Sequence, residues 1–144
     1  MTYLFLLCAA LVMLLVIHDR LQLRKRRRER DFQRRLELVL LPKETVKAVC
    51  PQKKGRWVLT NKRLLFTAGE TFTAVSIKDI RRIQGSTAEG KKTTSLPKMA
   101  SLTVKAEQEH TITNTGEDFA ALAKPLITAV QKQSAKRKVK KANK

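Results

Sequence analysis

Trp57-Val58-Leu59-Thr60-Asn61-Lys62-Arg63-Leu64-Leu65-Phe66 reads as two strands folded back on one another. Aromatic, aliphatic and β-branched side chains favour extended backbone. Only Asn61-Lys62 separates the two runs, and asparagine tolerates the positive φ that a tight hairpin demands. Outward from this hairpin the hydrophobic period stays near two, which predicts more strands. Upstream, Thr45-Val46-Lys47-Ala48-Val49-Cys50 alternates, and Pro51-Gln52-Lys53-Lys54-Gly55 is a turn with two cations at its tip. Downstream, Ala68-Gly69-Glu70 turns the chain into a strand over 71–77, and a short extended piece over 80–84 follows Asp79.

The stretch 85–97 is rich in Ser, Thr, Gly and Lys and reads as a mobile loop. Strands over 101–106 and 110–113 follow it. Thr115-Gly116-Glu117-Asp118 then opens a helix, with Phe119, Leu122, Ala123, Leu126 and Val130 on one apolar face. Pro125 lies inside that pattern and is expected to kink or loosen the helix. The basic tail, 135–144, is too polar to pack and is expected to be disordered.

Ahead of the strands the texture is different. Tyr3 to Ile17 is unbroken apolar sequence, and Arg24-Lys25-Arg26-Arg27-Arg28 follows shortly after it. No cationic stretch precedes the run and no small-residue cleavage site follows, which are the wrong flanks for a signal peptide. Residues 1–18 are therefore expected to form a short single-pass transmembrane anchor, with the basic flank helping to span the bilayer. The positive-inside rule then places the N-terminus outside and the C-terminal domain in the cytoplasm. Residues 19–39 lack Gly and Pro and are expected to continue the anchor as a basic juxtamembrane helix, ended by Leu41-Pro42. The run Arg24–Arg28 either sets this topology or supplies electrostatic attraction to the membrane surface.

Of 144 residues, 31 are Lys or Arg and 12 are Asp or Glu, for a formal net charge of +19. The excess is spread over the juxtamembrane segment, the strand region and the tail. Such a surface attracts anionic lipid headgroups or nucleic acid. A tethered domain sits within a Debye length of the bilayer, which favours lipid. One Trp, one Tyr and five Phe leave few stacking platforms for RNA. Cys8 and Cys50 cannot build a disulfide framework. The two histidines, His18 and His110, lack metal-ligand spacing, and no nucleophile–base set or phosphate loop is present. A non-enzymatic protein with no cofactor and no metal is expected.

Trp57 to Phe66, followed by Val75-Ser76-Ile77-Lys78-Asp79-Ile80, resembles the pleckstrin-homology-like superfamily, especially its bacterial PH-like and GRAM-type domains. Leu41-Pro42-Lys43-Glu44 is similar to that family's opening segment, with Lys43 where glycine is more usual. The resemblance implies an α+β, mainly β domain over residues 40–134. Its fold would be a strongly bent antiparallel sheet of about seven strands, capped by the C-terminal helix. It also implies a binding or scaffold function toward protein partners, anionic lipids (non-specific or phosphoinositide-like), or both. In lipid-binding members, basic residues of the first hairpin hold phosphates, and Lys47, Lys53, Lys54 and Arg56 occupy a loosely matching place. The same residues read equally as a solvated turn on a basic protein. Arg81 and Arg82 are further cations that strand alternation would send to opposite sides. Two other readings stay open: a basic RNA- or ribonucleoprotein-binding protein, and a small structural subunit of a membrane complex.

Overall fold

The computed structural model describes the backbone of residues 2–142 and the side chains of residues 7–136. The chain forms two compact units, Met1–Leu41 and Pro42–Lys144. The first is a single helix, α1 (Thr2–Val39). With neither Gly nor Pro to interrupt it, its 38 residues run for roughly 57 Å at 1.5 Å per residue. The last helical bond, Leu40 N–H to the Leu36 carbonyl at 3.0 Å, precedes Pro42. Lys43 then turns the chain with φ of 61°.

The transmembrane anchor expected over residues 1–18 is not found as such. Among the described residues no helix is long and apolar enough to cross a membrane. The side chains of residues 3–6, the start of the apolar run, lie outside the described ones.

The second unit is α+β. Strands β1 (Val46–Gln52), β2 (Gly55–Thr60), β3 (Arg63–Ala68) and β4 (Thr71–Ser76) form an antiparallel meander in that order. Leu59 pairs with Leu64 across the Asn61-Lys62 turn, as the spacing of that hairpin predicts, but neither turn residue takes the positive φ expected of Asn61. Strands β5 (Arg82–Ser86), β6 (Lys92–Thr93), β7 (Ser101–Lys105) and β8 (Glu109–Thr113) form a second antiparallel sheet, ordered β6-β5-β7-β8. One bent sheet of about seven strands is therefore replaced by two sheets of four. The break follows β4, where Ser76 Oγ accepts from Lys78 N–H at 3.3 Å and the chain enters a 3-10 turn, Ile77–Asp79. Having left the first ladder, β5 pairs with β7 instead of β4.

The eighth strand comes from the segment read as a loop. β5 extends through Gly85 and Ser86, which pair with Thr93 and Lys92 of β6. Gly85 is required there, because a Cβ would lie 2.2 Å from Met99 Cε and 2.6 Å from the Thr93 carbonyl oxygen. Helix α2 (Glu117–Ala142) completes the unit. Its apolar face, Phe119, Leu122, Ala123, Leu126 and Val130, is buried with Trp57, Leu59 and Leu64 of the first sheet and Leu102, Val104 and Ile112 of the second. One helix thus closes a core shared by both sheets.

Pro125 does not divide α2, which runs as one element on either side of it. Leu122 and Leu126 are fully buried on either side of the proline, so packing holds the helix where one backbone bond is lost. The carbonyl that Pro125 cannot bond belongs to Ala121, an exposed residue. The tail expected to be disordered from residue 135 is helical through Ala142, continuing α2.

Candidate functional site

β1 runs further than its sequence pattern indicates, through Pro51 and Gln52. β1 is the edge of its sheet, where a proline's missing N–H costs little. The turn to β2 is thereby reduced to Lys53-Lys54, closed by the Gln52–Gly55 pair. A Cβ on Gly55 would sit 2.0 Å from the Thr67 carbonyl oxygen, so only glycine lets β2 start this close to β3. The result is a tight, fixed turn with two exposed ammonium groups.

The end of β8 faces this turn. The Gln52 carboxamide spans the gap, its Nε2 donating to the Thr113 carbonyl at 2.8 Å and its Oε1 accepting from Thr113 N–H at 3.1 Å. A side chain thus replaces a strand pairing and ties the two sheets together. Between them lies a cleft of about 570 Å³. Lys53 and Lys54 line it on one side, and Thr113, Asn114 and Thr115 on the other. Its apolar part is an aromatic group. The Trp57 and Phe66 rings lie 4.6 Å apart, and His110 meets Trp57 edge-on at 5.6 Å. Trp57 is a core residue at 3 % exposure, so Phe66 and His110, both half-buried, provide the accessible surface.

Only two of the four cations grouped from the sequence meet here. Lys47 is the extra residue of a bulge, between the Val46–Thr60 and Ala48–Leu59 pairs, at the far end of the β1–β2 hairpin. Six residues of strand put it about 20 Å from Lys53. Arg56 pairs with Pro51 and Thr67 and alternates with Trp57, which sends it to the other face of the sheet. Arg24, Lys25, Arg26, Arg27 and Arg28 are all exposed on α1. Being consecutive, they are distributed around the whole helix at 100° per residue instead of forming one patch.

Phe66, His110 and the 113–115 segment were not grouped with the lysines from the sequence. Phe66 had one legible signal, its cross-strand pairing with Trp57 through the hairpin register. His110 and Thr113 had none, because more than fifty residues separate them from the turn.

A second concentration of charge is architectural. Arg63 Nη2 donates to Glu44 Oε2 at 2.6 Å and Arg63 Nε to Glu44 Oε1 at 3.1 Å, while Thr60 Oγ donates to Glu44 Oε1 at 2.6 Å. The hydrogen bond to Glu44 holds the Arg63 guanidinium above its ordinary pKa, against the opposing effect of burial. This cluster locks the segment before β1 onto the Asn61-Lys62 hairpin. Among the described residues no group of three or more His, Cys, Asp or Glu side chains could hold a metal ion.

No protein-family model, no characterised protein and no solved structure matches this chain. The cleft must therefore be interpreted from its own chemistry. Two ammonium groups on a fixed turn supply up to six donors to an anion. Opposite them are hydroxyl and amide groups, with aromatic surface between, and Glu109, whose carboxylate is paired with Lys105 at 3.0 Å, also lines the cleft. Such a set can donate hydrogen bonds to a negatively charged group.

Proposed function

We propose that this chain is a non-enzymatic, membrane-associated binding protein whose PH-like second unit receives an anionic group in the Lys53–Lys54 cleft. The observation that carries the reading is the convergence of both lysines on one aromatic-lined cleft fixed by the Gln52–Thr113 pairing. An exposed ammonium pair beside a partly apolar wall attracts an anion more strongly than the same pair on a fully solvated loop, because the effective dielectric is lower. The anion is a lipid headgroup phosphate or an acidic side chain of a protein partner. Both present oxygen acceptors to the same donors.

Membrane association rests on the apolar run ending at Ile17 and the cationic residues after it. Eleven of its residues, Leu7 to Ile17, are exposed in the isolated chain. An exposed apolar stretch of this length requires cover, and a bilayer next to cationic side chains provides it. The domain then works at high local concentration near the surface, so weak contacts suffice.

Liposome flotation of residues 42–144, with folding checked by NMR, tests the reading across a salt series. Vesicles carry neutral, anionic or phosphoinositide headgroups. Headgroup-dependent flotation that disappears in Lys53→Glu/Lys54→Glu identifies lipid as the source of the anion. If no vesicle binds, chemical shifts at Lys53, Lys54 and Phe66 on adding an acidic peptide identify a protein source. Absence of both, or a response indifferent to the two lysines, rejects the proposal.

A further inference from the structure

A second recess, sharing no residue with the Lys53–Lys54 cleft, lies between β5 and α2. Its volume is about 290 Å³. Its apolar floor comes from the core, with Met99, Leu102 and Val130 buried, and Ile83 and Ile127 half-buried. Arg81 and Arg82 both line it and both are exposed. Within β5 Arg82 alternates with the inward-packed Ile83, so it reaches the slot only at the rim. Arg81 precedes the strand, its N–H bonded to the Lys105 carbonyl at 2.8 Å. No acidic residue lines the slot. Its floor is apolar, Thr93, Thr94, Gln131 and Ser134 add uncharged polar groups, and two arginines stand at its rim.

From this combination we infer that the slot binds a small amphipathic anion, a short aliphatic chain ending in a carboxylate. The chain lies against Met99, Leu102 and Ile127, and Arg81 and Arg82 take the carboxylate oxygens. Two observations fix the size and shape. At about 30 Å³ per water-sized group, the slot holds roughly ten such groups, which suits about eight carbons and excludes a full bilayer lipid. The edge of β5 is already occupied at Gly85 and Ser86 by β6, so an extended peptide has only residues 82–84 to pair with. The compact ligand is the better fit. Guanidinium is suited to the head because its planar fork matches a carboxylate.

Met99 provides the measurement, since its Cε lies at the slot beside Gly85. The full-length chain, labelled at methionine methyl groups and held in nanodiscs of neutral lipid, is titrated with octanoate. Octan-1-ol and octyltrimethylammonium serve as neutral and cationic controls, and butanoate as the short chain. Met13, within the apolar part of α1, reports any partition of the probe into lipid. A saturable Met99 shift with octanoate is expected, with butanoate and both controls much weaker. Arg81→Gln/Arg82→Gln is expected to weaken octanoate binding about tenfold or more, the usual size of a lost charge-assisted contact. Ile127→Trp, which fills the slot and leaves the arginines in place, is expected to abolish the shift. The surface arginine variant keeps the test decisive if the tryptophan variant does not fold. The inference is overturned if Met99 does not respond, if octan-1-ol acts as well as octanoate, or if the arginine variant binds like the parent.

Discussion

Glu44 and Arg63 meet side by side, through Nη2 to Oε2 at 2.6 Å and Nε to Oε1 at 3.1 Å. The Glu44 side chain has no exposed surface and that of Arg63 is 19 % exposed. Removing one partner leaves the other charge in a poorly solvated site. Arg63→Met is expected to destabilise the fold by about 3–5 kcal/mol, whereas Glu44→Gln/Arg63→Met costs less than the sum of the single changes. Urea denaturation of all four species measures the coupling. The sign of the pH effect is fixed by the raised guanidinium pKa. A raised folded-state pKa gives stabilisation that is complete below the unfolded value and lost only above it. The Arg63 contribution should therefore be flat from neutral to mildly alkaline pH. A step in that window specific to the Arg63-containing protein would contradict this assignment.

Gln52 carries a different kind of join. Its carboxamide uses both donor and acceptor on the Thr113 backbone, across 61 residues of sequence. Gln52→Ala should cost about 1–2 kcal/mol, because two hydrogen bonds are lost at a partly exposed site. Gln52→Glu should be nearly as costly, since a carboxylate cannot donate to the Thr113 carbonyl. Amide exchange at Thr113 should accelerate in both variants, and unchanged exchange would show that the pairing is dispensable.

Two glycines separate space from backbone strain. A Cβ on Gly55 would meet the Thr67 carbonyl oxygen at 2.0 Å, whereas one on Gly69 would meet nothing within 4 Å. Gly69→Ala therefore suffers only from its φ of 64°, worth about 1–2 kcal/mol. Gly55→Ala must also push β2 away from β3, and about 1–3 kcal/mol of overpacking applies. Because that displacement moves the Lys53–Lys54 turn, Gly55→Ala should also weaken anion binding, and Gly69→Ala should not. Thermal melts beside a binding isotherm check the pair.

Lys47 distinguishes a local site from general charge. Lys47→Glu and Lys53→Glu change the net charge equally, yet Lys47 stands at the opposite end of the hairpin. Anion binding should fall several-fold for Lys53→Glu and remain nearly unchanged for Lys47→Glu at physiological salt, where screening acts over about 8 Å. Equal losses would mean that only overall charge matters.

Pro125 offers a gain. Pro125→Ala restores the N–H that the Ala121 carbonyl lacks within α2, and should raise stability by about 1–3 kcal/mol. The core face of the helix is untouched. A lower melting temperature would show that the ring contributes packing that outweighs the missing bond.

Local order was the legible part of the fold. The Asn61-Lys62 turn, the alternation of β1 and the apolar face of α2 are each properties of neighbouring residues, and the observed elements follow them closely. Errors arose where long-range contact competes with local preference. Pro125 is expected to kink or loosen the helix, and α2 continues through it with Leu122 and Leu126 buried on either side. The polar texture of 85–97 concealed β6, whose pairing depends on the absence of a Cβ at Gly85. The resemblance to lipid-binding PH-like hairpins grouped Lys47 and Arg56 with Lys53 and Lys54. Strand length and alternation separate them.

By itself the sequence determined the hairpins, the long charged helix, the closing amphipathic helix and the cationic turn, because each depends on spacing within a few residues. The tertiary structure alone decided that the strands divide into two sheets, that Gln52 joins them at Thr113, and that Phe66 and His110 lie beside the lysines. Those relationships span tens of residues. Packing of both sheets against α2 fixes them, and no local pattern encodes which distant surfaces will meet.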